Sequence, residues 1–187
     1  MRTYPELVEI AVNHLVAGRS GSIGTIRVDA AQVEQLRHEV TPHPHAHHRL
    51  IVDEPRERGG TDAGPSPLQV FLAGALTCLL NQFIKLAMAR RLAIETVSGT
   101  LRGRVQHRVD GGFTDLVYDI QLTGAISDDA IKPLAAEAER YCYVHNTLRN
   151  AVPLTVRLHL NGRQVAERIS RPALSVHESS PHKPEPG

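Results

Sequence analysis

The chain has almost no surplus of charge: Lys and Arg number 21 against 20 for Asp and Glu, a formal net charge of +1. That balance leaves no electrostatic footprint for nucleic acid or for an anionic membrane surface. Cysteine is scarce, with two residues in 187, which excludes a small secreted scaffold stapled by disulfides. An uncharged N-terminal apolar run is lacking as well, because Glu6 and Glu9 interrupt the stretch a secretory signal would need. No internal repeat is visible, so a solenoid is not expected. Residues 63–84 carry no charge, a length that raises the question of a membrane span. Ser66, Gln69, Thr77, Asn81 and Gln82 lie within that stretch, however, and Pro65-Ser66-Pro67 opens it, so a buried core helix is expected instead. These readings place the protein in the cytoplasm, without membrane or nucleic-acid partners.

What is present fits one globular domain. The composition is 41% hydrophobic and 22% charged, and the length suffices for one real core and is short for two. Three zones emerge. Residues 1–30 read as an extension with a short amphipathic helix, Leu7, Ile10, Ala11, His14 and Leu15 falling at helical spacing, followed by a Gly/Ser loop. Residues 31–165 form the ordered domain. Residues 166–187, rich in Pro, Ser and charge, read as a mobile tail.

Within the domain, Gln32 to Thr41 alternates and predicts a strand, and His47 to Asp53 predicts its neighbour across a Pro42-to-His45 turn. A Gly/Pro-rich loop then delivers the chain into a helix from Pro67 to Arg91, with proline suited to the first turn and Lys85, Arg90 and Arg91 towards the C-terminal end. This helix is apolar nearly all round over its first four turns and should be enclosed. Two strands, 95–108 and 113–123, flank an Asp110-Gly111-Gly112 hairpin turn. Ser127 caps a helix over 128–141 with the stripe Ile131, Leu134, Ala135 and Ala138. A short helix from 144 and a strand from Leu154 to Leu160 close an α+β layout.

Two residues are candidates to carry chemistry. Cys78 falls inside the enclosed helix, where a free cysteine ordinarily serves as a small hydrophobe. Cys142 falls where two helices meet, where the start of the second helix and Arg140 could favour its thiolate. Each sits in a distinctive segment: VDEPRERGGTDAGPSPLQVFLAGALTCLLNQF around Cys78 and ERYCYVHNTL around Cys142.

Together these segments resemble the two signature motifs of the OsmC/Ohr family, the osmotically inducible and organic hydroperoxide resistance proteins. The first has a strand, a Gly-rich loop, a GPSP-type turn and a long helix carrying a reactive cysteine, and the second carries another cysteine. The resemblance spans residues 31–165. It implies an intertwined homodimer in which curved antiparallel sheets wrap around two central helices. It also implies that Cys78 is the peroxidatic cysteine, Cys142 the resolving one, and Arg37 the activating cation, with Arg49 in reserve. A guanidinium near a thiol of reference pKa about 8.5 favours the thiolate. The family commonly has a glutamate nine or ten residues before the first cysteine to hold that arginine. Gln69 and Leu68 stand there, and Gln69 is expected to hydrogen-bond to Arg37 without supplying charge. Tyr143 replaces the usual proline after the second cysteine.

Histidine is in excess, at 11 residues. His43, His45, His47 and His48 alternate along one segment and could share a face towards a divalent cation, but no acidic or thiol group accompanies them. Cys142 and His145 have metal-like spacing without two further ligands. No metal or cofactor is therefore expected. The expected activity is reduction of organic hydroperoxides through a Cys78–Cys142 pair, with an external dithiol as reductant. An apolar face of Phe71, Leu76, Leu79 and Phe83 would favour organic substrates. The alternative is a non-catalytic OsmC-like module that binds a small molecule or a partner.

Overall fold

The computed structural model describes residues 4–17, 24–152 and 154–170. The Gly/Ser loop expected after the first helix and most of the expected tail lie outside these residues. The N-terminal helix, α1, runs Pro5–Ala17 and buries Leu15. Strands β1 (Arg27–Glu34), β2 (Arg37–His43) and β3 (Leu50–Val52) form an antiparallel sheet in chain order. The sequence had suggested one strand where β1 and β2 meet. Gln35, at φ 51°, makes the turn between them in a left-handed conformation that no Gly, Asn or Pro advertises.

The long helix, α2, spans Pro67–Ala89 and ends close to the expected position. Strands β4 (Ile94–Val105) and β5 (Phe113–Gly124) pair antiparallel, with Asp110 at φ 61° in the connection. Helices α3 (Asp128–Tyr141) and α4 (Tyr143–Leu148) form the crossover to β6 (Leu154–Leu160), which pairs parallel to β5. A last strand, β7 (Arg163–Ser170), pairs antiparallel to β6 and was not anticipated. It carries ordered structure past the boundary drawn at 165. Asn161 at φ 49° and Gly162 at φ 80° turn the chain between the two strands, an Asn-Gly hairpin signal present in the sequence.

The core lies between the four-stranded sheet and the helices. Alternate residues Leu116, Tyr118, Ile120 and Leu122 of β5, with Leu154, Val156, Leu158 and Leu160 of β6, point inward as the pleat requires. All but Leu116 and Leu154 join one cluster with Leu79, Phe83 and Leu86 of α2 and the stripe Ile131, Leu134, Ala135 and Ala138 of α3, which matches the expected set. By length and composition α2 could cross a membrane, but it packs against β4, α3 and α1 here.

A single chain encloses only one face of α2. Leu68 and Phe71, in its first two turns, remain exposed, as do Ala73, Gly74, Thr77 and Asn81 on its outer side. The three-stranded sheet stands apart, its strands contacting one another and little else. Every residue of β1 is exposed, and Ile26, just before it, is 92% exposed.

Candidate functional site: a dithiol between a helix and a helix corner

The loop before α2 is organised by one carboxylate. Asp53 is wholly buried and accepts from the backbone N–H groups of Glu54 (2.9 Å), Thr61 (3.0 Å) and Ala63 (3.1 Å), and from the Thr61 hydroxyl (2.5 Å). These hydrogen bonds, the Thr61 hydroxyl foremost, hold its carboxyl below the usual carboxylate range. Gly60 is required by this wrap, since a Cβ there would lie 1.7 Å from the Glu54 carbonyl oxygen. The chain then enters α2 through a capping box. The Gln69 N–H donates to Ser66 Oγ at 3.4 Å, and Gln69 Oε1 accepts from the Ser66 N–H at 2.8 Å. That cap fixes where the helix starts and so which way Cys78 faces, three turns further on.

The second cysteine is placed by a break between helices. Cys142 ends α3 and begins α4 with an extended backbone, φ −82° and ψ 108°. Its Sγ accepts from the His145 N–H at 3.4 Å and donates to Cys78 Sγ at 3.3 Å. The two sulfurs differ in access: Cys142 is fully buried and Cys78 half-buried.

This contact sets the ionisation of the pair. The hydrogen bond from Cys142 lowers the Cys78 pKa to about 6 against the opposing effect of burial, and backbone amides of Val144 and Tyr143 and the Lys85 ammonium assist. The Cys142 thiol is pushed up instead, because its proton is held towards Cys78 and because it is buried. The start of α4 does act on Cys142 as expected, through the amides of His145 and Val144, but Cys78 and burial outweigh it, so the sulfur favoured as thiolate is Cys78, the one that solvent can reach. Nearby, burial raises the Tyr118 hydroxyl, and the thiols' negative charge raises it further.

The structure brings Cys78 and Cys142 together and leaves the other expected residues apart from them. Arg37 lies on β2 and pairs with Glu34 at 2.5 Å, and Arg49 pairs with Glu39 at 2.6 Å. The expected Arg37–Gln69 hydrogen bond is not formed within the chain, because the Gln69 amide oxygen meets the Ser66 N–H that would otherwise be unpartnered at the helix start. Lys85, seven residues beyond Cys78 on the same helix, is the cation that acts on the thiolate. Its helical spacing was legible, but it had been read only as a charge near the helix end.

The expected apolar face also divides. Leu79 and Phe83 are wholly buried in the core, Leu76 is half-buried, and Phe71 stacks outside on Phe113 with ring centroids 5.6 Å apart. A groove of about 320 Å³ runs between α2 and β4, lined by Gln69, Leu72, Ala73, Leu76, Gly99 and Leu101 among others. His43 Nε2 lies 2.8 Å from Asp29 Oδ2, while the rings of His47 and His48 are 4.0 Å apart. Among the described residues, no group of three or more His, Cys, Asp or Glu side chains is arranged to hold a metal ion.

An α+β protein with a helix-borne cysteine in contact with a second, buried one is a dithiol protein. The family model for OsmC-like proteins matches residues 60–157, and the chain belongs to that family. Among solved structures it is similar to an OsmC-like protein from Mycoplasma pneumoniae, at 20% identity and a TM-score of 0.66, covering 74% of this chain and 99% of that one. It is similar as well to an organic hydroperoxide resistance protein from Legionella pneumophila, at 22% identity and a TM-score of 0.56, covering 74% and 98%. A third, an organic hydroperoxide resistance protein from Elizabethkingia anophelis, has 17% identity and a TM-score of 0.61, with 75% and 99% covered. At these identities the likeness carries the fold. No curated protein matches the sequence.

Proposed function

We propose that the protein is a thiol peroxidase that reduces organic hydroperoxides with Cys78 and Cys142. The observation that carries this reading is the 3.3 Å contact between a solvent-accessible, thiolate-prone sulfur and a buried, protonated one. The Cys78 thiolate attacks the distal oxygen of the hydroperoxide. The O–O bond breaks, the departing alkoxide takes a proton and leaves as the alcohol, and Cys78 becomes a sulfenic acid. Cys142 condenses with it to a disulfide and water, and an external dithiol restores both thiols. The apolar groove beside Leu76 suits the carbon chain of the substrate. A reduced dithiol that must be regenerated belongs in a reducing compartment, which favours the cytoplasm.

The acting unit is a homodimer. The exposed first turns of α2, with Leu68 and Phe71, and the outlying β1–β3 sheet, with Val28, Val33, Leu36 and Leu50 exposed, supply two apolar surfaces on one chain that a second copy would cover. Arg37 lies on that outlying sheet, so dimerisation is also the route by which it could reach a cysteine of the partner. The unformed Arg37–Gln69 contact favours a second reading, in which the chain is a non-catalytic OsmC-like binding module. One experiment separates the two. One equivalent of cumene hydroperoxide added to the reduced protein consumes both thiols if the peroxidase reading holds. Thiols that persist overturn it.

A further inference from the structure

In its reduced form the sulfur pair is a ligand as well as a redox couple. Cys142 Sγ and Cys78 Sγ stand 3.3 Å apart. Each is fixed by its own element, Cys78 by the interior of α2 and Cys142 by the break between α3 and α4. The separation is therefore a property of the fold, and it discriminates among the groups that bond two sulfurs at once.

A disulfide would draw the sulfurs in to about 2 Å. A zinc ion, with Zn–S bonds of about 2.3 Å at the tetrahedral angle, would push them out to about 3.8 Å and would still need two more ligands. Among the described residues, no group of three or more His, Cys, Asp or Glu side chains is arranged to supply them. Ions that take two sulfurs in a straight line need a wider gap again. Trivalent arsenic bonds sulfur at a similar length, but its lone pair closes the angle between the two bonds to nearly a right angle. Two bonds of about 2.3 Å at a right angle span about 3.3 Å, the distance that the fold already holds.

Access and charge agree with this geometry. Cys78 is half-buried and its pKa is lowered to about 6, so at neutral pH it offers a thiolate to a ligand arriving from solvent. Cys142 is wholly buried, so the arsenic would sit on the open side of Cys78 with its remaining substituent directed to solvent. The chain has two cysteines and no third. That number matches an arsenical with one carbon substituent and two exchangeable oxygens better than inorganic arsenite, which takes three sulfurs.

We propose that the reduced Cys78–Cys142 pair chelates monosubstituted trivalent arsenicals. The proposal needs only the reduced pair and stands apart from the peroxidase reading. The Cys78 thiolate bonds to arsenic as one As–O bond breaks, and the departing hydroxide takes a proton from solvent, equivalent to the one Cys78 gave up. Cys142 Sγ bonds as the second As–O bond breaks, and its proton leaves with that hydroxide as water. Arsenic stays trivalent, so no oxidant or reductant is consumed. The sum is one R–As(OH)2 and two thiols giving one cyclic dithioarsenite and two waters.

The test uses the full chain, reduced and freed of small thiols, with phenylarsine oxide as the probe, read by intact mass and by titration of the remaining thiols. One arsenical should bind per chain with loss of both thiols. A dithiol such as dimercaptopropanol should restore them, and an equal excess of a monothiol should not. Cys78→Ala and Cys142→Ala should each bind at least about a hundredfold more weakly, because the second bond no longer forms within one site. The wild type gives a check that needs no variant: protein oxidised to the disulfide with diamide should take up no arsenical. Zinc at the same concentration should leave both thiols titratable. Equal affinity in Cys142→Ala and wild type, or release by a monothiol as readily as by a dithiol, overturns chelation. Thiols protected equally well by zinc overturn the geometric selection. Failure of a parallel sample to consume cumene hydroperoxide would overturn the peroxidase reading and leave chelation standing.

Discussion

Arg168 Nε lies 2.8 Å from Glu139 Oε1, tying the last strand of the sheet to a carboxylate that is 5% exposed on α3. Burial raises the Glu139 pKa, and Arg168 works against that rise. Arg168→Ala should destabilise the fold by about 2 kcal/mol, since it leaves a buried carboxylate unpaired. The sign with pH follows from the raised pKa. Without Arg168 the carboxyl pKa goes higher still, so the deficit grows as pH rises through the folded-state pKa. Urea unfolding at pH 5 and pH 8 measures it; an equal loss at both would show that the pair carries no such weight. Truncation after Gly162 should be more harmful than truncation after Ser170, because it removes β7 as well.

Cys78 should react with iodoacetamide along a pH curve whose midpoint is about 6. Cys142→Ala removes the largest cause of that shift and should move the midpoint up towards an ordinary thiol. Lys85→Met should move it up less, as a smaller contributor. Gln69→Glu should leave it unchanged if the residue acts only as a helix cap. A Cys142→Ala midpoint equal to the wild type's would show that the sulfur contact does not hold the thiolate.

His145 is held down to about 4 by burial, with help from Arg149 and Arg168. Below the ordinary histidine pKa the unfolded chain takes a proton that the folded chain refuses. Stability should therefore fall as pH drops from about 6.5 towards 4, by about 2 kcal/mol between pH 7 and 5. His145→Phe should abolish that part of the decline. Thermal unfolding of both proteins across this range is the check, and parallel curves would exclude His145 as its source.

Asp53→Ala should lower the thermal midpoint more than Asp62→Ala does, because it strips the acceptor from three backbone amides and one hydroxyl at once. The same change should loosen the entry to α2, read as faster proteolysis between residues 54 and 66. Equal midpoints for the two variants would place the organisation of the loop elsewhere.

The helices were legible in the sequence because their signals are local. Ser127 caps α3 where it was expected, Pro67 opens α2, and the four-residue stripe of α3 is the one that is buried. The pair of cysteines was legible through its motifs. What the sequence hid is set by through-space contact. Gln35 turns β1 into β2 only because the strands pair, and Gln69 answers to the backbone of Ser66 before any arginine. Tyr118 reads as one β residue among many, and its place beside the thiols comes from the parallel pairing of β5 with β6 that brings α4 over it. The hairpin into β7 was readable in Asn161-Gly162 and was passed over in favour of the polar composition beyond it.

The sulfur contact spans 64 residues of chain, and only the folded state brings those ends together. Folding and redox poise are thereby two sides of one thermodynamic cycle. On the proposed chemistry, a Cys78–Cys142 disulfide would close a loop whose entropy loss in the unfolded chain is equivalent to about 4 kcal/mol, so the oxidised protein would outlast the reduced one under denaturant by a similar amount. The same difference appears as a more negative reduction potential in the folded protein. Any change that lets α2 drift from the α3–α4 corner lowers the effective concentration of one sulfur at the other and makes the disulfide easier to reduce. The potential of this pair is thus a gauge of how firmly the corner is held.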